Sequence, residues 1–268
     1  DGLIRSSVVE IKPKAVIIEV TVGGTLKSNK GINLPQTKVS VPSFTDKDQQ
    51  DLDFALANDC DYVALSFVRR KIDVEMVNKY IEKKKAKAWI VSKIENPEGI
   101  ENLEEIMEAS SAIMIARGDM GVELGNHKVP AYQKKITALC NQKGKPVITA
   151  TQMLESMITN STPTRAEAND VANAIWDGAD VLMLSGETAV GKYPIESVQM
   201  MDKIIREAEK TPKERPLLRN VNLQDIMGPL MVSAALIAEK LKARAIVSIS
   251  EGGNSCLEMT RFRPINYV

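Results

Sequence analysis

Histidine is almost absent from this sequence: its 268 residues include one, His127, set between Asn126 and Lys128 in a polar stretch. That position reads as surface, so catalysis built on a positioned imidazole is not expected. Cysteine is scarce too. Cys60, Cys140 and Cys256 are odd in number and far apart, which fits neither a disulfide framework nor a zinc cluster. They point to a reducing, cytoplasmic setting. Net charge is missing as well, because thirty-five basic residues balance thirty-five acidic ones. No global field then draws the chain to nucleic acid or to a membrane, and any phosphate recognition must be local. No apolar run is long enough to span a bilayer, and the first residues do not read as a signal peptide.

What is present has the balance of a globular protein, 44% apolar and 26% charged. Residues 1–42 are expected to form a small β-rich unit: Ser7–Ile11 and Ala15–Val22 are rich in Val and Ile, and Gly23-Gly24 marks a turn. From Thr45 the rhythm changes. Thr45-Asp46-Lys47-Asp48 reads as an N-cap with an acidic first turn. Strand-like runs then alternate with helical ones. The strands are Tyr62–Phe67, Ala88–Ile94, Ala112–Ala116, Pro146–Ala150 and Val181–Leu184. The helices between and after them are Val74–Lys84, Glu101–Glu108, Pro130–Gln142, Thr164–Trp176 and Pro194–Glu209. Residues 43–212 are therefore expected to form one parallel α/β unit. Residues 213–268 start as a linker and continue as helix Ile226–Leu241, a strand-like Ala243–Ser250 and a further loop and helix start.

Five strands with crossover helices fit either an open doubly wound sheet or a barrel. Chemistry-bearing residues recur at the end of strand after strand: Ser66, Lys93, Asp119, Thr151 and Ser185. An open sheet concentrates function at one switch point, whereas a barrel spreads it around all its strand ends, so the pattern favours the barrel. Five strands do not close an eight-stranded (β/α)8 TIM barrel, and about three units would be needed to complete it. Strand alternation puts Lys93 and Glu95 on one face, and Arg117 and Asp119 on one face of the next strand. One ammonium and two carboxylates at neighbouring strand ends suit a divalent metal that handles an anionic, oxygen-rich substrate. On spacing alone, Lys93 reads equally as the structural partner of Glu95. Arg117-Gly118-Asp119-Met120-Gly121 alone reads as a β-turn, Thr151 as a helix cap, Ser185 as a helix entry, and Lys30 as a solvated charge.

Several longer segments resemble the pyruvate kinase family. They are Lys30-Gly31-Ile32-Asn33-Leu34-Pro35, Ser92-Lys93-Ile94-Glu95-Asn96, Ala116-Arg117-Gly118-Asp119 and the run Ala150–Met157. Pro163-Thr164-Arg165-Ala166-Glu167 and Leu184–Ala189 complete the set, all in family order and at family-like spacing. The resemblance implies a (β/α)8 barrel that carries an inserted β-rich lid and a C-terminal regulatory α/β domain. Residues 1–42 would be the end of the lid, 43–212 barrel strands four to eight, and 213–268 the start of the regulatory domain.

The resemblance also implies transfer of a phosphoryl group from phosphoenolpyruvate to ADP, giving pyruvate and ATP. Glu95 and Asp119 would hold Mg²⁺ or Mn²⁺, and Lys93 would neutralise the transferring group and the enolate. Gly118 and Asp119 would hold the substrate carboxylate, and Thr151 would lie near the carbon to be protonated. Ser185 would take part in proton delivery, Arg117 and Ser66 would support the site, and Lys30 would touch the nucleotide. Potassium ligands would belong to barrel strands that this sequence does not contain, and a homotetramer is the usual family assembly. In the segment Ser250–Ser255, Glu251 and Gly252 stand where a lysine and a hydroxyl often occur, which argues against activation by fructose 1,6-bisphosphate. The natural polypeptide is expected to extend beyond both ends, and this chain alone is expected to be inactive. The competing readings are a metal-dependent pyruvate-enolate aldolase or lyase, and a non-catalytic fragment.

Overall fold

The computed structural model describes residues 2, 4–26, 28, 31–34, 37, 42–211, 226–250, 254–262, 264, 267 and 268. Lys30, Glu251 and Gly252 lie outside the described residues. The chain opens with an antiparallel hairpin, β1 (Arg5–Lys12) and β2 (Ala15–Val22), turned by Pro13-Lys14. All its residues are exposed, including Val8, Ile11, Val16 and Val20. A two-stranded ribbon with no covering layer gains little from apolar burial, and its stability rests on the ladder and cross-strand pairs.

The alternating elements follow in the expected order. They are α1 (Asp46–Ala57), β3 (Tyr62–Leu65), α2 (Lys71–Lys83), β4 (Trp89–Ile94), α3 (Pro97–Glu101) and α4 (Leu103–Ala109). Next come β5 (Ala112–Ala116), α5 (Arg117–Leu124), α6 (Val129–Lys143), β6 (Val147–Ala150) and α7 (Arg165–Asp177). The unit closes with β7 (Val181–Met183), α8 (Gly186–Ala189) and α9 (Pro194–Lys210). Local chemistry sets the helix boundaries. Thr45 Oγ1 accepts the Asp48 N–H at 3.3 Å, and Asp48 accepts the Thr45 N–H at 2.7 Å, a reciprocal cap that starts α1. Thr164 and Glu167 do the same for α7. Gly144 ends α6 and Gly178 ends α7 at φ of 66° and 101°, a left-handed conformation that costs glycine little.

The strands form one parallel sheet in the order β3-β4-β5-β6-β7. Sequential order with every crossover in one sense makes this an arc of a barrel wall. Among the described residues β3 and β7 each pair on one side only, so the arc does not close. Its convex face carries Ile90, Ile94, Ile113, Ile115 and Val147, packed under Val74, Val77, Ile106 and Ile136 from the helices. Each such side chain, fully withdrawn from water, contributes about 1.5–3 kcal/mol. The concave face is a thinner layer of Val91, Ala112, Met114 and Ala150. Its register continues upward: Val91 pairs with Ala112 and Lys93 with Met114. That alternation aims Lys93 into the concavity, at the C-terminal mouth.

The last described part contains α10 (Met227–Lys240) and α11 (Asn254–Arg261), packed on a small cluster of Met231, Val232, Ala235, Met259 and Phe262. The expected strand Ala243–Ser250 is not formed. Among the described residues only Ala245 makes a bridge, to Tyr267, and Val247 and Ile249 are exposed. A strand exists only where a neighbour accepts its ladder.

Candidate active site

The mouth of the arc is built from the segments that follow β3, β4, β5, β6 and β7. Lys93 Nζ lies 2.6 Å from Glu95 Oε1 and donates to Ser66 Oγ at 3.1 Å. Glu95 is fully buried, and its second oxygen accepts the Phe67 N–H at 2.8 Å. Phe67 delivers that N–H from a left-handed backbone, φ 53°, which a bulky residue adopts only where the surroundings enforce it. No pattern in the sequence announces this contact. A carboxylate buried so completely resists ionisation, and its pKa is raised: burial is the largest cause, the Asp119 charge adds to it, and Lys93 and the Phe67 N–H oppose it.

The Asp119 side chain makes no hydrogen bond or ion pair with another described residue, yet its charge also raises the pKa of Glu123, where burial again is the main cause. Negative charge is therefore gathered at this mouth with one lysine against it. Such a place fits a divalent cation. Mg²⁺ takes one or two protein carboxylates and fills its remaining positions with water and substrate oxygens, and Glu95 with Asp119 supplies that number. Among the described residues there is no cluster of three or more His, Cys, Asp or Glu side chains placed to hold a metal ion.

The expected placement of Arg117 and Asp119 on one strand face needs correction. Strand β5 ends at Ala116, and Arg117–Leu124 is helix α5, so alternation stops one residue earlier. Gly118 and Asp119 are then first-turn residues whose N–H groups lack intrahelical acceptors. Helix α5 has no side-chain cap of its own; instead the Gly118 N–H donates to Thr151 Oγ1 at 2.8 Å. Arg117 is buried and turned outward, toward the backbone of residues 150–152 and toward Asp170.

Thr151 follows β6 with φ 70°, and Gln152 follows it with φ 53°. Two successive left-handed residues, one of them β-branched, swing the hydroxyl across to α5. Ser185 stands at the entry of α8, its N–H donating to Glu187 Oε2 at 2.8 Å. Its own Oγ is buried with no hydrogen-bond partner among the described residues. The structure thus joins Ser66, Lys93 and Glu95 in one group and Gly118 and Thr151 in another, with Asp119 acting electrostatically on the first.

These strand ends occur where sequence comparison also finds its match. The family model described as pyruvate kinase, barrel domain, matches residues 1–198. Pyruvate kinases of Staphylococcus aureus (strain MRSA252) and Staphylococcus epidermidis (strain ATCC 12228 / FDA PCI 1200) are 46% and 47% identical to it, each over 98% of this chain. The same alignments cover 46% of each relative, so the chain spans about half the length of the curated relatives it matches. No helix among the described residues is long and apolar enough to cross a membrane. With a family model over most of its length, and identity near one half along nearly all of it, the chain belongs to the pyruvate kinase family.

Proposed function

We propose that this chain supplies the metal-holding, phosphoryl-accommodating part of an enzyme that transfers the phosphoryl group of phosphoenolpyruvate to ADP. The observation that carries this reading is the Lys93–Glu95 pair, 2.6 Å apart at the mouth of the arc, with a second carboxylate, Asp119, acting on it. Glu95 and Asp119 would hold Mg²⁺ or Mn²⁺. When bound, the ion supplies Lewis acidity and a template for substrate oxygens.

The chain's own residues do the rest. The Lys93 ammonium faces the phosphoryl group as its bond to the enol oxygen breaks and an ADP oxygen bonds to phosphorus. Charge neutralisation of this kind is the main requirement of phosphoryl transfer. Ser66 and Glu95 hold Lys93 in place from either side. The first turn of α5 receives the substrate carboxylate: the Asp119 N–H points to it, glycine at 118 allows its close approach, and Thr151 borders the turn through its bond to the Gly118 N–H. The enolate left behind takes a proton at its methylene carbon to become pyruvate, and the unspent Ser185 hydroxyl is suited to relay it. Arg117 supports the turn from behind. On the same reading Lys30 contacts the nucleotide, K⁺ is a second cation, and the assembly is a cytoplasmic homotetramer. Residues 1–42, 43–212 and 213–268 are proposed as lid, barrel and regulatory parts.

The test is phosphorus NMR, for phosphoenolpyruvate and ATP, with proton NMR, for the pyruvate methyl group, on the intact protein with phosphoenolpyruvate, ADP and Mg²⁺. Pyruvate and ATP should form in equal amounts and only with ADP present. Loss of phosphoenolpyruvate without ATP, or no turnover at all, would overturn the reading.

A further inference from the structure

We propose that Asp170 is a positioning residue for the substrate turn and acts through Arg117; the inference rests on the proposed phosphoryl-transfer function. The two left-handed residues Thr151 and Gln152 do not hold themselves in that conformation. Arg117 holds them. Its Nε donates to the carbonyls of Ala150 at 3.3 Å and Thr151 at 3.2 Å, and its Nη2 donates to those of Thr151 at 2.6 Å and Gln152 at 3.2 Å. The planar fork thus spans three successive carbonyls, a contact that a lysine ammonium cannot reproduce. Its far side, Nη1, donates to Asp170 Oδ2 at 2.7 Å and Gln133 Oε1 at 3.3 Å.

Arg117 is 9% exposed, and a buried guanidinium needs a counter-charge. Among the described residues Asp170 is the one carboxylate within ion-pair distance. It projects from α7 and lines a groove of about 490 Å³ between α6 and α7, together with Gln133, Asn126 and Asn173. The chain of contacts therefore runs from a side chain on the outside of the arc to the inside of the site. Asp170 fixes Arg117, Arg117 fixes the backbone of 151–152, and Thr151 fixes the Gly118 N–H. Without Asp170, the groove gives the guanidinium a path to water, and the fork leaves the carbonyls.

Displacement of a site residue by about 1 Å costs about a hundredfold in rate. Asp170→Ala in the intact protein is therefore expected to lower kcat about ten- to a hundredfold. The KM for phosphoenolpyruvate and the Mn²⁺ affinity should each stay within about threefold. Asp170→Asn keeps an acceptor oxygen and should recover part of the loss. Arg117→Lys keeps the charge but not the fork, and should behave as Asp170→Ala does. Selective ¹⁵N labelling of glycine gives a second readout, because the Gly118 amide resonance should shift in Asp170→Ala as its acceptor moves. An unshifted Gly118 amide, or an Asp170→Ala enzyme with unchanged kcat, would overturn the proposal. So would an Asn variant no better than Ala. If the wild-type protein transferred no phosphoryl group, the proposed function would fail, while the amide shift would still decide whether Asp170 positions the turn.

Discussion

Thr151 allows a test in which the usual ranking of two small residues reverses. At an ordinary helical position such as Ala168, replacing Ala with Gly costs about 1 kcal/mol. Thr151 instead sits at φ 70°, where a residue with a Cβ pays about 1–2 kcal/mol and glycine pays almost nothing. Thr151→Ala and Thr151→Gly both lose the 2.8 Å contact with the Gly118 N–H, so that loss cancels between them. Glycine recovers the strain but gives back about 0.4–1 kcal/mol through the freer unfolded chain. The net expectation is a Gly variant more stable than the Ala variant by about 1 kcal/mol. At this size of protein that is about 2–4 °C in Tm. Paired thermal or urea melts of the two variants, with Ala168→Gly as the control of opposite sign, read the difference directly. Both Thr151 variants should also slow turnover, since neither carries the hydroxyl. An Ala variant at least as stable as the Gly variant would refute the strain at this turn, and with it the reason Arg117 is needed there.

Other outcomes follow from the same geometry. Glu95→Gln and Asp119→Asn should each weaken Mn²⁺ binding, measured by water-proton relaxation, because each removes one of two charged ligands; unchanged affinity in both would place the metal elsewhere. Burial, aided by Asp119, raises the Glu95 pKa, so protons compete with the metal sooner than usual. Mn²⁺ affinity should fall with decreasing pH from above the ordinary carboxylate range of about 4, and a flat response down to that pH would contradict the assignment. Ser185→Ala removes a buried hydroxyl with no described partner, so it should leave Tm nearly unchanged while slowing deuterium exchange into the pyruvate methyl group. Exchange at the wild-type rate would remove Ser185 from the proton path.

The sequence made the arc readable because its strands are short apolar runs separated by amphipathic helices, and because Thr45, Thr164 and Gly144 mark boundaries by mechanisms that act within a few residues. Lys93 and Glu95 were legible for the same reason: both follow from the period of one strand. Contacts that depend on the backbone leaving that period were not. Arg117 begins a helix, so strand alternation no longer governs where Asp119 falls, and the Arg117 fork meets carbonyls some thirty-five residues later. The left-handed turns at Phe67, Thr151 and Gln152 carry no glycine or asparagine to announce them, since tertiary contacts impose them. Asp170 reads in sequence as one more polar residue on an amphipathic helix. Only the packing of α7 against α6, which leaves it facing Arg117, gives it a role. Ala243–Ser250 shows the converse: among the described residues its strand-like composition yields only the single bridge from Ala245 to Tyr267.

The central claim is that Lys93 neutralises the transferring phosphoryl group while Glu95 and Asp119 hold the metal. Lys93→Ala in the intact protein, assayed for phosphoenolpyruvate-to-ADP transfer and titrated with Mn²⁺ in the same preparation, separates these roles. The account predicts turnover reduced by at least about 10²–10³-fold, as expected for a group acting on transition-state charge, with Mn²⁺ binding no weaker than in the wild type. Turnover within tenfold of the wild type, or loss of Mn²⁺ binding in parallel with loss of activity, would contradict it.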